Sequence, residues 1–339
     1  MKVLILKPSS LGDVIHALPV ARLIKRQHPQ SQIYWWIDAG LAPLIEGDRD
    51  LAGIIRFVRR GFAQPKNLRQ FVRDLRWMRA QNFDWVIDLQ GLARSGTVAW
   101  LANGQRLVGL DEAREGARGY YDVIVQRPSW DTHAVDWYLR ALAPLGVPTV
   151  PDFDWLPERP AVAAAVREKW RTGGARWVLL QPGARWENKR WPMENFAAVV
   201  KQLGAANPHL RFAVLGGRDE AEAGRRISHA LPERCIDLTG KTSLPEMIEW
   251  VRLSSLLITN DTGPMHVAAA MRTPLVAIFG PTTPQRTGPY GQLESVLRLT
   301  LPCAPCMKSR CHFDQPLACL HGVEVQRVVS AAQVKLTGP

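Results

Sequence analysis

The 339-residue sequence has no long uninterrupted apolar stretch. Its N-terminus has a four-residue apolar run before Lys7, which is too short for a signal peptide core. No later segment approaches the length needed to span a bilayer. With only five cysteines, the chain also lacks the composition of a disulfide-stapled secreted domain. These features favour a cytoplasmic globular protein.

Two sequence patterns are also missing. No G-x-G-x-x-G follows the first predicted strand, so a nicotinamide or flavin dehydrogenase loses its best support. No short-period repeat is visible, which argues against a solenoid. Acidic residues are in the minority, with 31 Asp and Glu against 43 Lys and Arg. This excess favours an anionic partner, which could be nucleic acid, a phospholipid surface or a phosphorylated substrate.

Strand and helix patterns alternate in both halves of the chain. Apolar strands are predicted at residues 3–6, 33–38, 84–89 and 106–110, and again at 177–180, 211–215, 236–238, 256–259 and 274–279. A proline-rich break at 146–160 predicts a domain boundary. We therefore expect an α/β protein with two Rossmann-like parallel-sheet domains, residues 1–155 and 156–320, and a ligand cleft at the strand carboxyl ends. Residues 321–339 are expected to form a C-terminal helix that packs back on the N-terminal domain.

Residues 256–291 contain the clearest strand–turn–helix pattern. An apolar strand leads into Asn260, Asp261, Thr262 and Gly263, and Pro264 is typical of a first helical turn. Backbone N–H groups and the positive end of the helix dipole make such a turn an anion site. The alternative is an ordinary capped turn.

Asp13 lies in a polar loop between the first predicted strand and the following helix, predicted over residues 14–27. Such loops lie at the ligand-binding edge of open α/β sheets, so the carboxylate is a candidate for chemistry. An N-terminal helix cap is the alternative interpretation.

The segment 56–79 is the most basic part of the chain and contains one acid, Asp74. Helical spacing predicts that Leu68, Phe71, Val72, Leu75 and Met78 face the core, so that a cationic face points to solvent. The predicted solvent face carries Lys66, Arg69, Arg73 and Arg76. The basic residues of the whole segment are Arg56, Arg59, Arg60, Lys66, Arg69, Arg73, Arg76 and Arg79. The alternatives are a merely solvated face and a docking surface for phosphates or an anionic membrane.

Four cysteines near the C-terminus follow the spacing C-x2-C-x4-C-x7-C. They are Cys303, Cys306, Cys311 and Cys319, interleaved with His312 and His321. The spacing is compatible with structural zinc but is not that of a standard finger or ribbon. Free or locally paired thiols are the alternative.

Three motifs together resemble a known family. They are SSLGDVIHALP (9–19), GARWENKRWP (183–192), and NDTGPMHVAAA (260–270) with FGPTTPQRTGPYG (279–291). Their order and their spread over the whole chain resemble the ADP-heptose-dependent lipopolysaccharide heptosyltransferases of glycosyltransferase family nine. The resemblance implies a GT-B fold, two Rossmann-like domains facing across an interdomain cleft. It assigns the acceptor, the Kdo-bearing inner core of lipid A, to the N-terminal domain and ADP-heptose to the C-terminal domain.

The resemblance also implies roles for individual residues. Asp13 would be the base of an inverting transfer and Lys189 would compensate the charge of the leaving diphosphate. On the donor side, Glu220 would contact the ribose, and Asp261 would hydrogen-bond the sugar or order the turn. The backbone of Thr262 and Gly263 would bind the diphosphate, and His266 would face the same cleft. For His266 a packed histidine is the alternative. No metal and no cofactor are expected.

On the acceptor side, the resemblance implies an acidic glycolipid at the cytoplasmic face of the inner membrane, bound by a peripherally associated monomer. The acceptor-binding residues would be Ser9, Ser10, Gly12, Arg59, Arg60, Lys66, Arg69, Arg73 and Arg76. The sequence does not separate first from second heptose addition. The segment DLQGLARSG is similar to the enzyme that adds the first heptose, whereas the cysteine pattern is similar to the enzyme that adds the second. Alternatives are a related GT-B enzyme with another nucleotide sugar or acceptor and, as a non-enzyme, a nucleic-acid-binding protein, although no nucleic-acid module is visible.

Overall fold

A computed structural model describes residues 1–59, 61, 64–152 and 155–337 of the chain. Arg60, one of the expected acceptor-binding cations, lies outside the described residues. The chain separates into two compact units, Met1–Pro157 and Glu158–Pro339. Within the described residues, no helix is both long and apolar enough to cross a membrane.

The first unit is built on a six-stranded parallel sheet of order β3-β2-β1-β4-β5-β6. Strand β1 is buried from Val3 to Leu6, as expected for a parallel strand covered on both faces. The elements are β1 (Lys2–Leu6), α1 (Leu11–Gln27), β2 (Gln32–Asp38), β3 (Leu51–Phe57), α2 (Pro65–Ala80), β4 (Trp85–Asp88), α3 (Ala93–Leu101), β5 (Arg106–Leu110), β6 (Val123–Val125) and α4 (Ala134–Leu139).

The second unit repeats this architecture with the order β12-β11-β10-β7-β8-β9. All of its strand pairs are parallel. The elements are α5 (Pro160–Trp170), β7 (Arg176–Gln181), α6 (Met193–Ala206), β8 (Leu210–Val214), α7 (Ala221–Ser228), β9 (Cys235–Asp237), α8 (Leu244–Leu253), β10 (Leu256–Asn260), α9 (Gly263–Ala270), β11 (Leu275–Ile278), α10 (Pro284–Thr287), β12 (Val296–Leu297), α11 (Ala318–His321) and α12 (Val325–Thr337).

Both sheets have the same strand order when each is counted from its own first strand. In each, the first strand lies beside the fourth, so β1 pairs with β4 and β7 pairs with β10. At such a pair the chain connections leave in opposite directions, which opens a crevice at the carboxyl ends of the two strands. Ligand sites are therefore expected after β1 and β4 in the first unit, and after β7 and β10 in the second.

The terminal helix α12 packs in the second unit. Val328, Val329, Ala332 and Leu336 lie on one helix face and are buried in the core formed with β7, β8 and β10. Within the segment 321–339, predicted as a separate C-terminal helix, α12 therefore shares the core of the second unit.

The apolar face of helix α2 is less buried than predicted. Of the five apolar residues expected in the core, only Met78 is fully buried, and Phe71 and Leu75 pack partly against the core. Leu68 and Val72 are 46% and 38% exposed. The apolar stripe is longer than the surface it covers, so these two side chains remain in solvent. The basic side chains of Lys66, Arg69, Arg73 and Arg76 are exposed, as predicted.

Candidate active site

Asn260, the last residue of β10, joins the two loops at the crevice of the second unit. Its side chain is fully buried, and Nδ2 donates a hydrogen bond of 2.6 Å to the carbonyl oxygen of Pro182. Its Oδ1 accepts one of 3.1 Å from the backbone N–H of Trp191. The amide thereby fixes both ends of segment 182–191, which follows β7 and carries Lys189.

Asp261 joins Lys189 to a third loop. Its Oδ2 accepts hydrogen bonds of 2.6 Å from Lys189 Nζ and of 2.6 Å from Thr282 Oγ1. The ammonium also lies 4.8 Å from the ring centroid of Trp186. Because the side chains of Lys189 and Asp261 are only 18% and 5% exposed, water screens this ion pair weakly. An ammonium has three donors, so Lys189 can keep Asp261 and bind a further anionic group.

Helix α9 begins beside this ion pair. Thr262 is its N-cap residue and Gly263 its first residue, so the backbone N–H groups of the first turn mark an anion-binding position. Thr262 and Pro264 line a cavity of about 520 Å³, a size typical of ligand pockets. Arg185, Arg190 and Glu220 also line the cavity.

The Glu220 side chain fits in its place only because residue 183 is a glycine. Its Oε2 accepts a hydrogen bond of 2.6 Å from the backbone N–H of Gly217. The rest of the carboxylate lies against Gly183, where a Cβ atom would overlap it. The close approach of the two loops brings a carboxylate to the wall of the cavity.

The expected donor residues therefore lie in three environments. Lys189 and Asp261 form a shielded ion pair, and Thr262 and Glu220 line the cavity. His266, one turn into α9, is 8% exposed and is not among the residues that line the cavity.

Asp13 lies in the first turn of helix α1 in the first unit, three residues after the N-cap residue Ser10. Its Oδ2 accepts hydrogen bonds from the backbone N–H of Ser10 at 2.9 Å and from Ser10 Oγ at 2.6 Å. The predicted loop position and N-cap role of Asp13 are therefore wrong, because Ser10 is the N-cap residue and Asp13 completes a capping box from inside the helix. The same residue lines a cavity of about 300 Å³ with Lys7, Glu112, Arg114 and Tyr138, so capping does not remove it from a site.

Lys7 is the main residue of this cavity that the sequence did not single out. It is 4% exposed, its Nζ donates a hydrogen bond of 2.7 Å to the carbonyl oxygen of Leu89, and it lies 4.7 Å from the ring centroid of Tyr138. Burial alone would lower the pKa of Lys7. The interactions with Tyr138, Asp13 and Asp88 outweigh burial and raise this pKa.

The four C-terminal cysteines line a separate cavity of about 140 Å³, and all are free thiols. Among the described residues, no group of three or more His, Cys, Asp or Glu side chains is placed to hold a metal ion. This arrangement is that of free thiols, one of the alternatives predicted from the sequence.

Comparison with known proteins gives the family. Residues 71–316 match the model of glycosyltransferase family 9 (heptosyltransferase). The chain belongs to this family. It is 29% identical over 364 residues to lipopolysaccharide heptosyltransferase 1 of Pseudomonas aeruginosa, covering 100% of this chain and 99% of that protein. It is 26% identical over 326 residues to lipooligosaccharide heptosyltransferase 2 of Haemophilus influenzae, covering 88% and 89% of the two proteins.

The solved structure of Escherichia coli heptosyltransferase WaaC with ADP is similar throughout. The TM-score is 0.78 at 23% identity, and the match covers 99% of this chain and 100% of that one. This family-9 glycosyltransferase therefore has the GT-B fold with two Rossmann-like parallel-sheet domains, and the predicted fold class is confirmed.

Proposed function

We propose that this glycosyltransferase moves heptose from ADP-heptose to the lipopolysaccharide inner core, with inversion at the anomeric carbon. The observation that carries the proposal is the Lys189–Asp261–Thr282 cluster at the start of α9, beside the cavity of about 520 Å³. A departing diphosphate needs positive charge, and this cluster offers it next to helix N–H groups. The names of the related proteins and the ADP in the similar structure support the choice of substrates.

On the donor side, Lys189 and the backbone of Thr262 and Gly263 bind the diphosphate. Asp261 holds Lys189 in place, Glu220 hydrogen-bonds the ribose, and His266, one turn into α9, contributes to donor binding. Because these groups supply the charge compensation, the proposed reaction uses neither a metal ion nor a cofactor.

In the transfer step, Asp13 takes the proton from the acceptor hydroxyl. The hydroxyl oxygen then attacks the anomeric carbon while the bond from that carbon to ADP breaks. A single displacement of this kind inverts the configuration and requires one carboxylate, so we propose no second catalytic acid.

On the acceptor side, we propose that Ser9, Ser10 and Gly12 contact the sugar and that Arg59, Arg60 and the cations of α2 bind an acidic glycolipid. The α2 cations are exposed, and Leu68 and Val72 beside them are exposed apolar side chains. Cations with neighbouring apolar groups are typical of helices that lie on anionic membranes. We therefore propose that a monomer associates peripherally with the cytoplasmic face of the inner membrane.

The donor and the base are tested together. A thermal-shift screen compares ADP-heptose, ADP and UDP-sugars, and transfer assays compare wild type with Asp13→Asn. We expect stabilisation by ADP-heptose and a loss of kcat of about 10²- to 10⁴-fold. The asparagine keeps an oxygen acceptor for Ser10, which limits structural damage. Full activity in a folded Asp13→Asn protein would remove the base role. Stabilisation and transfer only with a UDP-sugar would favour a related GT-B enzyme.

The docking role of α2 is tested separately by reversing the charges of Lys66, Arg69 and Arg73 to Glu. We expect weaker transfer to the full lipid acceptor and unchanged transfer to a short soluble acceptor. Unchanged activity on both acceptors would contradict membrane docking.

A further inference from the structure

Lys7 bridges the two strands that define the crevice of the first unit. It directly follows β1, and its Nζ donates to the carbonyl oxygen of Leu89, directly after β4. Its own carbonyl oxygen accepts a hydrogen bond of 3.2 Å from Trp35 Nε1. Both the backbone and the ammonium of Lys7 are therefore fixed at the edge of the cavity that Asp13 lines.

A buried ammonium requires a nearby negative charge, because losing its hydration is costly. Three acidic groups raise the pKa of Lys7, those of Tyr138, Asp13 and Asp88. Burial raises the pKa of Tyr138 and of Asp88, which favours their neutral forms. Of the two carboxylates, Asp13 is the one that lines the same cavity as Lys7, so it is placed to provide the balancing charge.

We propose that Lys7 is a positioning residue for Asp13, whose carboxylate its buried ammonium keeps ionised while Ser10 holds that carboxylate from the helix side. This inference rests on the proposed role of Asp13 as the base. A base must be deprotonated before the acceptor hydroxyl binds, and a fixed positive charge favours that state at lower pH.

Other titratable groups lie around the pair, and each is unchanged in the two variants at position 7. Glu112 pairs with Arg127 at 3.1 Å, and the rings of His16 and His133 are in edge contact at 5.1 Å. The remaining groups are Arg114, Tyr138 and Asp88. A difference between variants at position 7 therefore reports the charge at that position.

The test is the pH dependence of kcat for wild type, Lys7→Gln and Lys7→Arg. Glutamine keeps a donor for the Leu89 carbonyl but removes the charge. We expect the acidic limb of the Lys7→Gln profile to move up by about one pH unit or more, with kcat recovering at higher pH. Lys7→Arg should keep the wild-type limb. Tyr138→Phe, which keeps both charges, should also keep it.

A uniform loss of kcat in Lys7→Gln without a shifted limb would overturn the inference and indicate a purely structural role. If its activity is too low for a profile, the urea midpoints of Lys7→Gln, Asp13→Asn and the double variant decide. Non-additive midpoints support the pairing, and additive midpoints overturn it. Full activity of Asp13→Asn would instead remove the proposed base, so the two failures are distinguishable.

Discussion

Thr282 donates its hydroxyl hydrogen to Oδ2 of Asp261 at 2.6 Å, the same oxygen that binds the Lys189 ammonium. The bond ties the loop after β11 to the loop after β10. The Asp261 carboxylate therefore accepts hydrogen bonds from two loops, and its orientation fixes the position of the Lys189 ammonium.

Replacing Thr282 by valine removes this hydrogen bond while keeping the shape of the side chain. Because the acceptor is a shielded carboxylate, we expect a loss of about 1.5–3 kcal/mol in the free energy of unfolding, measured by urea denaturation. We also expect weaker binding of ADP.

Thr283→Val is the matched control for this change. Thr283 is 3% exposed against 4% for Thr282, and its hydroxyl bonds the neutral Gln285 Oε1 at 2.8 Å. We expect it to cost about 0.5–1.5 kcal/mol and to leave ADP binding unchanged. Equal effects of the two variants on ADP binding would contradict a role for the Thr282–Asp261 bond.

The buried Asp88 carboxyl should make the free energy of unfolding fall as the pH rises. Burial raises the pKa of its carboxyl above the ordinary 3.8, against opposing hydrogen bonds from Gln90, Tyr121, Gly91 and Ser95. The folded protein therefore retains this proton to higher pH than the unfolded chain does. The stabilisation is complete below about pH 3.8 and is lost as the pH rises through the folded-state pKa.

Asp88→Asn should remove this dependence because its side chain does not titrate. We expect the free energy of unfolding of wild type to fall relative to that of the variant as the pH rises from about 4, measured by urea denaturation at several pH values. A constant difference between the two proteins across this range would show that Asp88 titrates normally.

The cysteines should differ in their rate of alkylation. Backbone N–H groups of Leu317 and Phe313 lower the pKa of Cys311, which favours the reactive thiolate. Burial raises the pKa of Cys319, with the other three thiols of the cavity adding to the effect. Burial also raises the pKa of Cys235 to about 12. With iodoacetamide and peptide mass spectrometry, we expect Cys311 to react before Cys319 and Cys235 last. Equal rates for Cys311 and Cys319 would contradict this.

The strands that the sequence predicted are those with strong apolar runs. Strand β5 was predicted with its observed bounds, whereas β3 was missed because Gly53 and Arg56 interrupt its pattern. Strands β6 and β12 have three and two residues, and no strand is predicted at either place.

The site was only partly predictable for a different reason. Asp13, Lys189 and Asp261 stand in recognisable motifs. Lys7 and Thr282 act through partners 82 and 21 residues away, Leu89 and Asp261. Local sequence patterns do not carry that information. The same holds for Leu68 and Val72, whose spacing is helical but whose exposure depends on how much surface the neighbouring sheet offers.

Gly183 shows how the cavity depends on volume that the chain leaves empty. The Glu220 carboxylate lies where the methyl group of an alanine at position 183 would be. Every other amino acid at this position would force Glu220 to turn or the two loops to separate. The shape of the cavity of about 520 Å³ therefore depends in part on the absence of a Cβ atom at position 183.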